Sequence, residues 1–204
     1  MNAIQELVIT APVFLFALTA HEYAHGYVAR QLGDPTAESL GRLTMNPIKH
    51  IDPLGALSFI LFKIGWAKPV PVDARYFRNP RQGLLLVALA GPAANLTLAL
   101  LCVLSARFLA PLGSILPVQL AWPLFQILGA GIWINLMLAV FNLLPIPPLD
   151  GSRVAAGLLP LDLSRAYVRL EPFGFVILLV LFYTGLLPRI MAPLMAIAQK
   201  LVLL

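Results

Sequence analysis

An apolar run from about Ile4 to Val28 is long enough to cross a bilayer, and inside a bilayer every backbone N–H and C=O must find its partner within the protein. That requirement leaves helices or a closed barrel as the spanning structures. The same run carries HEYAHGYVAR at its end, so His21, Glu22 and His25 fall in its last third, near one membrane face. Burying three such groups without partners costs several kcal/mol, which few sequences tolerate without a reason.

The composition is that of a membrane chain throughout. With 60% hydrophobic and 11% charged residues and a mean hydropathy of +0.88, the 204 residues read as an all-α polytopic membrane protein. They are expected to form one domain over 1–204 in the lipid bilayer, with little length left for a soluble module. The net charge of +5 does not point to nucleic acid, because the basic residues cluster in a loop without interleaved aromatics. Cys102 is the single cysteine and has no internal disulfide partner. The N-terminus MNAIQELVIT lacks the basic region of a cleavable signal.

Two more spans are expected, from about Leu84 to Leu109 and from about Leu120 to Leu144, the latter ending at PIPPLDGSR, where Pro145, Pro147 and Pro148 forbid a continuous helix. A short helix restarts near Asp150 to Gly157. The final stretches FGFVILLVLFYTGLL and IMAPLMAIAQKLVLL fit either a tight hairpin or one kinked helix plus an interfacial one. Between Gly33 and Gln82 prolines recur, GRLTM and KPVPV read as extended pieces, and the whole region reads as interfacial or re-entrant. The stretch 30–81 holds Arg30, Arg42, Lys49, Lys63, Lys68, Arg75, Arg78 and Arg81, against Arg107 alone between the second and third spans. By the positive-inside rule this region faces the cytoplasm, the N-terminus lies outside, and both HEYAH and the Asp150 loop sit near the cytoplasmic face of a multi-pass cell-membrane protein.

On a helix His21 and His25 lie at i and i+4 and share a face, so both imidazoles reach one metal while Glu22 sits beside them as a base. This is the H-E-x-x-H arrangement of zinc hydrolases. A catalytic zinc needs a third protein ligand and an open position. No histidine follows at the soluble metzincin spacing, and Glu38 lies in a charged loop. Asp150 is the better candidate, being the other acid embedded between apolar segments at the depth of His25, although an N-cap before SRVAAG is a role it also fits. If His21, His25 and Asp150 converge on one zinc, the metal makes hydroxide available near neutral pH, and Glu22 acts as general base without being a ligand. Asn95 in GPAAN and Asn142 in FNLLPIPPLDG are buried amides that either join helices or, Asn142 above all, donate to a substrate carbonyl or oxyanion.

These residues resemble the site-2 protease family, peptidase family M50. HEYAH is similar to the family's H-E-x-x-H, NLLPIPPLDG to its N-x-x-P-x-x-x-L-D-G, and GPAAN to its G-P-x-x-N; GRLTMNPIKHIDPLGAL and GWAKPVPV further resemble its short bacterial and archaeal members. The resemblance implies a three-helix catalytic core with additional helices and a small membrane-associated β-sheet over about 39–80. It implies zinc held by His21, His25 and Asp150, Glu22 as the catalytic base, and Asn142, with Asn95 as a second candidate, at the substrate. The implied substrate is a membrane protein whose transmembrane segment is locally unwound, held by strand addition, since scissile carbonyls in an intact helix are occupied. No PDZ or CBS module is expected. Two other readings compete, a proteolytically silent zinc-binding scaffold and an ion or proton transporter. The transporter predicts acids spread along a pathway and repeated halves, which the sequence lacks.

Overall fold

The computed structural model describes residues 3–55, 58 and 66–203, and the regular structure among them is helical. The helices are α1 (Ala3–Gln31), the short α2 (Thr36–Ser39), α3 (Pro80–Leu109), α4 (Val118–Asn142), α5 (Asp150–Leu158), α6 (Leu161–Val168), α7 (Gly174–Tyr183) and α8 (Leu186–Leu203). Helix α3 starts ahead of the expected boundary because the Asn79 side chain caps the Gln82 N–H and Pro80 occupies the first turn, where its missing N–H is not needed. Helix α4 stops where Pro145 and the prolines after it remove the donors that would continue it.

Helices α1, α3 and α4 form the core of the bundle. Ala17 of α1 packs on Ile134 and Leu138 of α4, Ala29 of α1 on Val87 of α3, and Ala99 of α3 on Leu136 and Val140 of α4 together with Met195 and Ala198 of α8. Small residues set these approaches, as expected where lipid offers no hydrophobic drive for association. Gly131 is one of them: a Cβ there would lie 2.7 Å from the Cys102 sulfur.

The expected β-sheet over 39–80 is not found among the described residues. One antiparallel bridge joins Ile51 to Ala67, beside an Lys68 N–H that donates to the His50 carbonyl at 2.9 Å, and the flanking chain forms turns and the 3-10 turns Pro47–His50 and Ala74–Tyr76. Pro47, Pro53, Pro69 and Pro71 lack the N–H groups that a ladder needs. Residues 56–57 and 59–65 of that expectation lie outside the described residues.

Among the described residues, five helical stretches are long and apolar enough to cross a membrane: Ile4–Gln31, Pro80–Gly113, Val118–Asn142, Leu161–Tyr183 and Leu186–Leu203. Packing separates the fourth from the rest. The Tyr167 hydroxyl donates to the Pro145 carbonyl, a Cβ on Gly174 would meet the Pro147 carbonyl, and Leu178 and Leu181 pack with Leu144, Leu149 and Leu187. Both ends of Leu161–Tyr183 therefore stay at the end of the bundle marked by the Pro145–Asp150 break. Helix α8 begins at that end beside Leu149 and runs to the opposite one, where the Leu203 carbonyl accepts from Arg107 at the far end of α3.

Candidate metal centre

The i, i+4 spacing on α1 brings the Nε2 atoms of His21 and His25 to 3.0 Å. Asp150, in the first turn of α5, places Oδ2 at 3.1 Å from His21 Nε2 and 3.2 Å from His25 Nε2. The break after α4 makes this possible. Gly151 abuts the end of α4 so closely that a Cβ would stand 2.2 Å from the Leu143 carbonyl oxygen and 2.4 Å from that of Leu144, which folds α5 back toward α1. The far end of α5 is tied down as well, since Arg81 donates from Nε to the Gly157 carbonyl at 2.8 Å and from a terminal nitrogen to that of Leu159.

The hydrogen bonds on the other side of the rings determine what those Nε2 atoms carry. His25 Nδ1 lies 2.7 Å from the Val87 carbonyl, which only accepts, so Nδ1 holds the proton. His21 Nδ1 lies 2.7 Å from Asn95 Oδ1, and the Asn95 orientation follows from its amide nitrogen donating to the Ala17 carbonyl at 3.1 Å and to Asn135 Oδ1 at 2.9 Å. Asn135 in turn donates to the Gly131 carbonyl at 2.8 Å. Carbonyl acceptors at the ends of this chain of bonds assign every donor in it, so the neutral His21 ring also carries its proton on Nδ1. Two imidazole lone pairs and a carboxylate oxygen then point at one another.

Such an arrangement is repulsive unless a cation sits among the three atoms, and Asp150 Oδ2 is buried with no hydrogen-bond partner. Among the described residues, His21, His25 and Asp150 form a group of metal-ligating side chains whose ligand atoms lie within 4.8 Å of one another. A tetrahedral zinc with bonds of about 2.0–2.1 Å has ligand–ligand edges of about 3.3 Å, close to the separations present. The donor set fits zinc, and the Asn95 and Val87 carbonyl oxygens that accept from the two Nδ1–H groups hold the imidazoles in the orientation a ligand needs. Gly91 of α3 lies against the ligand edge of the rings: a Cβ there would lie 2.5 Å from His21 Cε1 and from His25 Nε2.

Glu22 stands beside this group without joining it. It is 8% exposed, and its Oε2 accepts from the Val70 backbone N–H at 2.9 Å. Asn142 lies at the end of α4, with its amide nitrogen donating to the Leu138 carbonyl of its own helix at 2.9 Å. Asn95 is fully buried, and its bonds to His21, Ala17 and Asn135 give it the helix-joining one of the two roles expected of it and make it a support for His21. Glu38 pairs with Arg30 on the surface, and His50 is buried elsewhere with Nε2 on the Thr44 carbonyl. Asn135 went unrecognised in the sequence, and Gly91, Val70 and Arg81 entered only as parts of GPAAN, KPVPV and the basic loop, without a role at the site. For Asn135 a signal existed, because it lies two turns before Asn142 on the same apolar helix and is as costly to bury as Asn95.

Comparison with known proteins bears on this geometry. Residues 109–182 match the pattern of peptidase family M50. The chain is 41% identical over 189 residues to the "Putative zinc metalloprotease YwhC" of Bacillus subtilis, covering 93% of this chain and 85% of that protein. It is 34% identical over 182 residues to the "Putative zinc metalloprotease Rip2" of Mycolicibacterium smegmatis, covering 86% and 67% of the two chains, and 32% identical over 179 residues to the Rip2 of Mycobacterium tuberculosis, covering 83% and 64%. No solved structure matches the chain.

Proposed function

The chain belongs to peptidase family M50, and from that membership and the geometry above we propose that it is an intramembrane zinc endopeptidase that hydrolyses peptide bonds within or near transmembrane segments of other membrane proteins. The observation that carries the reading is the convergence of His21 Nε2, His25 Nε2 and the unpartnered Asp150 Oδ2 inside a bundle of apolar helices. His21, His25 and Asp150 would hold one zinc. When bound, zinc lowers the pKa of water toward about 7 and polarises a carbonyl.

The remaining chemistry falls to the chain itself. Glu22, held beside the ligands, takes a proton from the attacking water and returns it to the leaving amine. Asn142, next to the loop that ends in Asp150, exchanges its bond to Leu138 for the substrate carbonyl and supplies a donor where negative charge develops. Gly91 keeps α3 close against the imidazoles and narrows the space on that side. The substrate must reach the site unwound, because helical carbonyls are already hydrogen-bonded. The basic residues at the site's end of the bundle orient it toward the cytoplasm.

The test is the metal content of detergent-purified wild type beside Asp150→Ala, paired with cleavage of a single transmembrane reporter segment by wild type and Glu22→Gln. About one zinc per wild-type chain, a clear loss in Asp150→Ala, and a metal-loaded but inactive Glu22→Gln are expected. A folded wild type without metal, or full cleavage by Glu22→Gln, would overturn the assignment.

A further inference from the structure

Glu22 has a second partner problem besides the membrane. A carboxylate next to a zinc site on the same helix is itself a good zinc ligand, and if it swings onto the metal it fills the open position and ceases to be a base. Something must hold it off, and the bond that does so comes from the segment 68–73.

The tripeptide Pro69-Val70-Pro71 contains one backbone N–H, because neither proline has one, and that single donor is spent on Glu22 Oε2 at 2.9 Å. Residues that precede proline are confined to extended conformations, so the piece is stiff. Both of its ends are pinned by buried groups. Upstream, the Lys68 N–H donates to the His50 carbonyl and the Lys68 carbonyl accepts from Arg42 at 2.8 Å. Downstream, the Asp73 N–H donates to Asp34 Oδ2 at 2.7 Å, and Asp34 is fully buried and accepts from the Thr36 N–H with its other oxygen at 2.9 Å. The side chain of Val70 is seated too. It rests over Gly26, one turn beyond Glu22 on α1, where an added Cβ would come within 3.1 Å of Val70 Cγ1.

From this geometry, and resting on the metalloprotease reading above, we infer that the Pro69–Pro71 strap is a positioning element for the base: the Val70 N–H holds Glu22 through Oε2, keeps the carboxylate out of the ligand set and leaves Oε1 to the water. Val70 acts through Glu22 and is a positioning residue. The two prolines serve the same end by leaving no competing donor and no slack.

The probe is cobalt in place of zinc, whose visible absorption reports how many ligands the site supplies, measured on the full-length purified protein. Val70→Pro removes the N–H with a residue the neighbouring prolines already accommodate. It is expected to bind cobalt with an altered spectrum that reverts toward wild type when Glu22→Ala is added, and to lower kcat on the reporter segment at least about tenfold with KM little changed. Val70→Ala keeps the N–H and is expected to keep the wild-type spectrum. Gly26→Ala, which shifts Val70 without touching its N–H, is the second variant and gives a smaller change of the same kind. Unaltered spectra in Val70→Pro or in Gly26→Ala, or an altered spectrum that persists without Glu22, would overturn the strap's role while leaving the metalloprotease reading intact. A wild type that binds no cobalt would overturn both.

Discussion

Gly91 and Asn135 do at the scale of single residues what the ligands cannot do for themselves. The methyl of an alanine at position 91 would stand 2.5 Å from both imidazoles, with α3 backbone behind it and α1 in front, so either the rings turn or the helices part. Gly91→Ala is expected to weaken zinc binding at least about tenfold, the scale of a lost orienting contact, as read by competition with a chelator. Asn135→Leu strands one buried N–H of Asn95 and frees the amide that holds the His21 ring. It is expected to cost about 1–3 kcal/mol of stability, seen as a lower Tm of the apo protein, and to loosen zinc as well. The four residues HEYAH and Asp150 put forward were legible in the sequence because a helix converts i, i+4 spacing directly into a shared face, and because an acid between apolar segments stands out. Gly91 stood out only as the first residue of GPAAN, and its role was not legible, since that role lies in what α1 presents to α3.

At the scale of elements, α5 is a nine-residue helix with a metal-ligand candidate in its first turn, too short to hold its own orientation. Its position is fixed from outside, by Gly151 against the end of α4 and by Arg81 on the Gly157 and Leu159 carbonyls. Arg81→Ala removes the charge-assisted bonds that close the helix's free carbonyls. Helix α5 is then expected to fray from its C-terminus, with faster amide exchange over 155–159 and a several-fold rise in zinc dissociation rate; Arg81→Lys, a point charge without the planar fork, recovers part of each. A zinc dissociation rate that does not move in Arg81→Ala would show that Gly151 alone suffices. The helix near Asp150 was visible in the sequence from the proline break before it. The sheet over 39–80 that the family resemblance implies is absent among the described residues, where the prolines of NPIKHIDP and KPVPV leave few donors for a ladder. In KPVPV the one donor between the two prolines goes to Glu22.

At the scale of the whole molecule, five stretches among the described residues qualify as spans by length and composition, yet the contacts among them fit four crossings. Leu161–Tyr183 keeps both ends beside the Pro145–Asp150 break, whereas α8 starts at that end and finishes beside Arg107. Charge does not separate the two counts: Arg189 and Lys200 stand at opposite ends of α8 and exchange sides between them, while Arg107 lies opposite the site in both. Sequence alone left these alternatives open because the apolar stretch of α7 reads the same whether it crosses the bilayer or lies against other helices at one end. Single cysteines placed in a Cys102→Ala background distinguish them through labelling by a membrane-impermeant thiol reagent in intact cells. Ile115→Cys and Lys200→Cys are expected to label from outside, and Arg78→Cys and Arg165→Cys only after lysis. Lys200→Cys labelling together with Arg165→Cys would mean a fifth crossing, and would require α8 to run opposite to the direction that Leu187 beside Leu149 and Leu203 beside Arg107 give it.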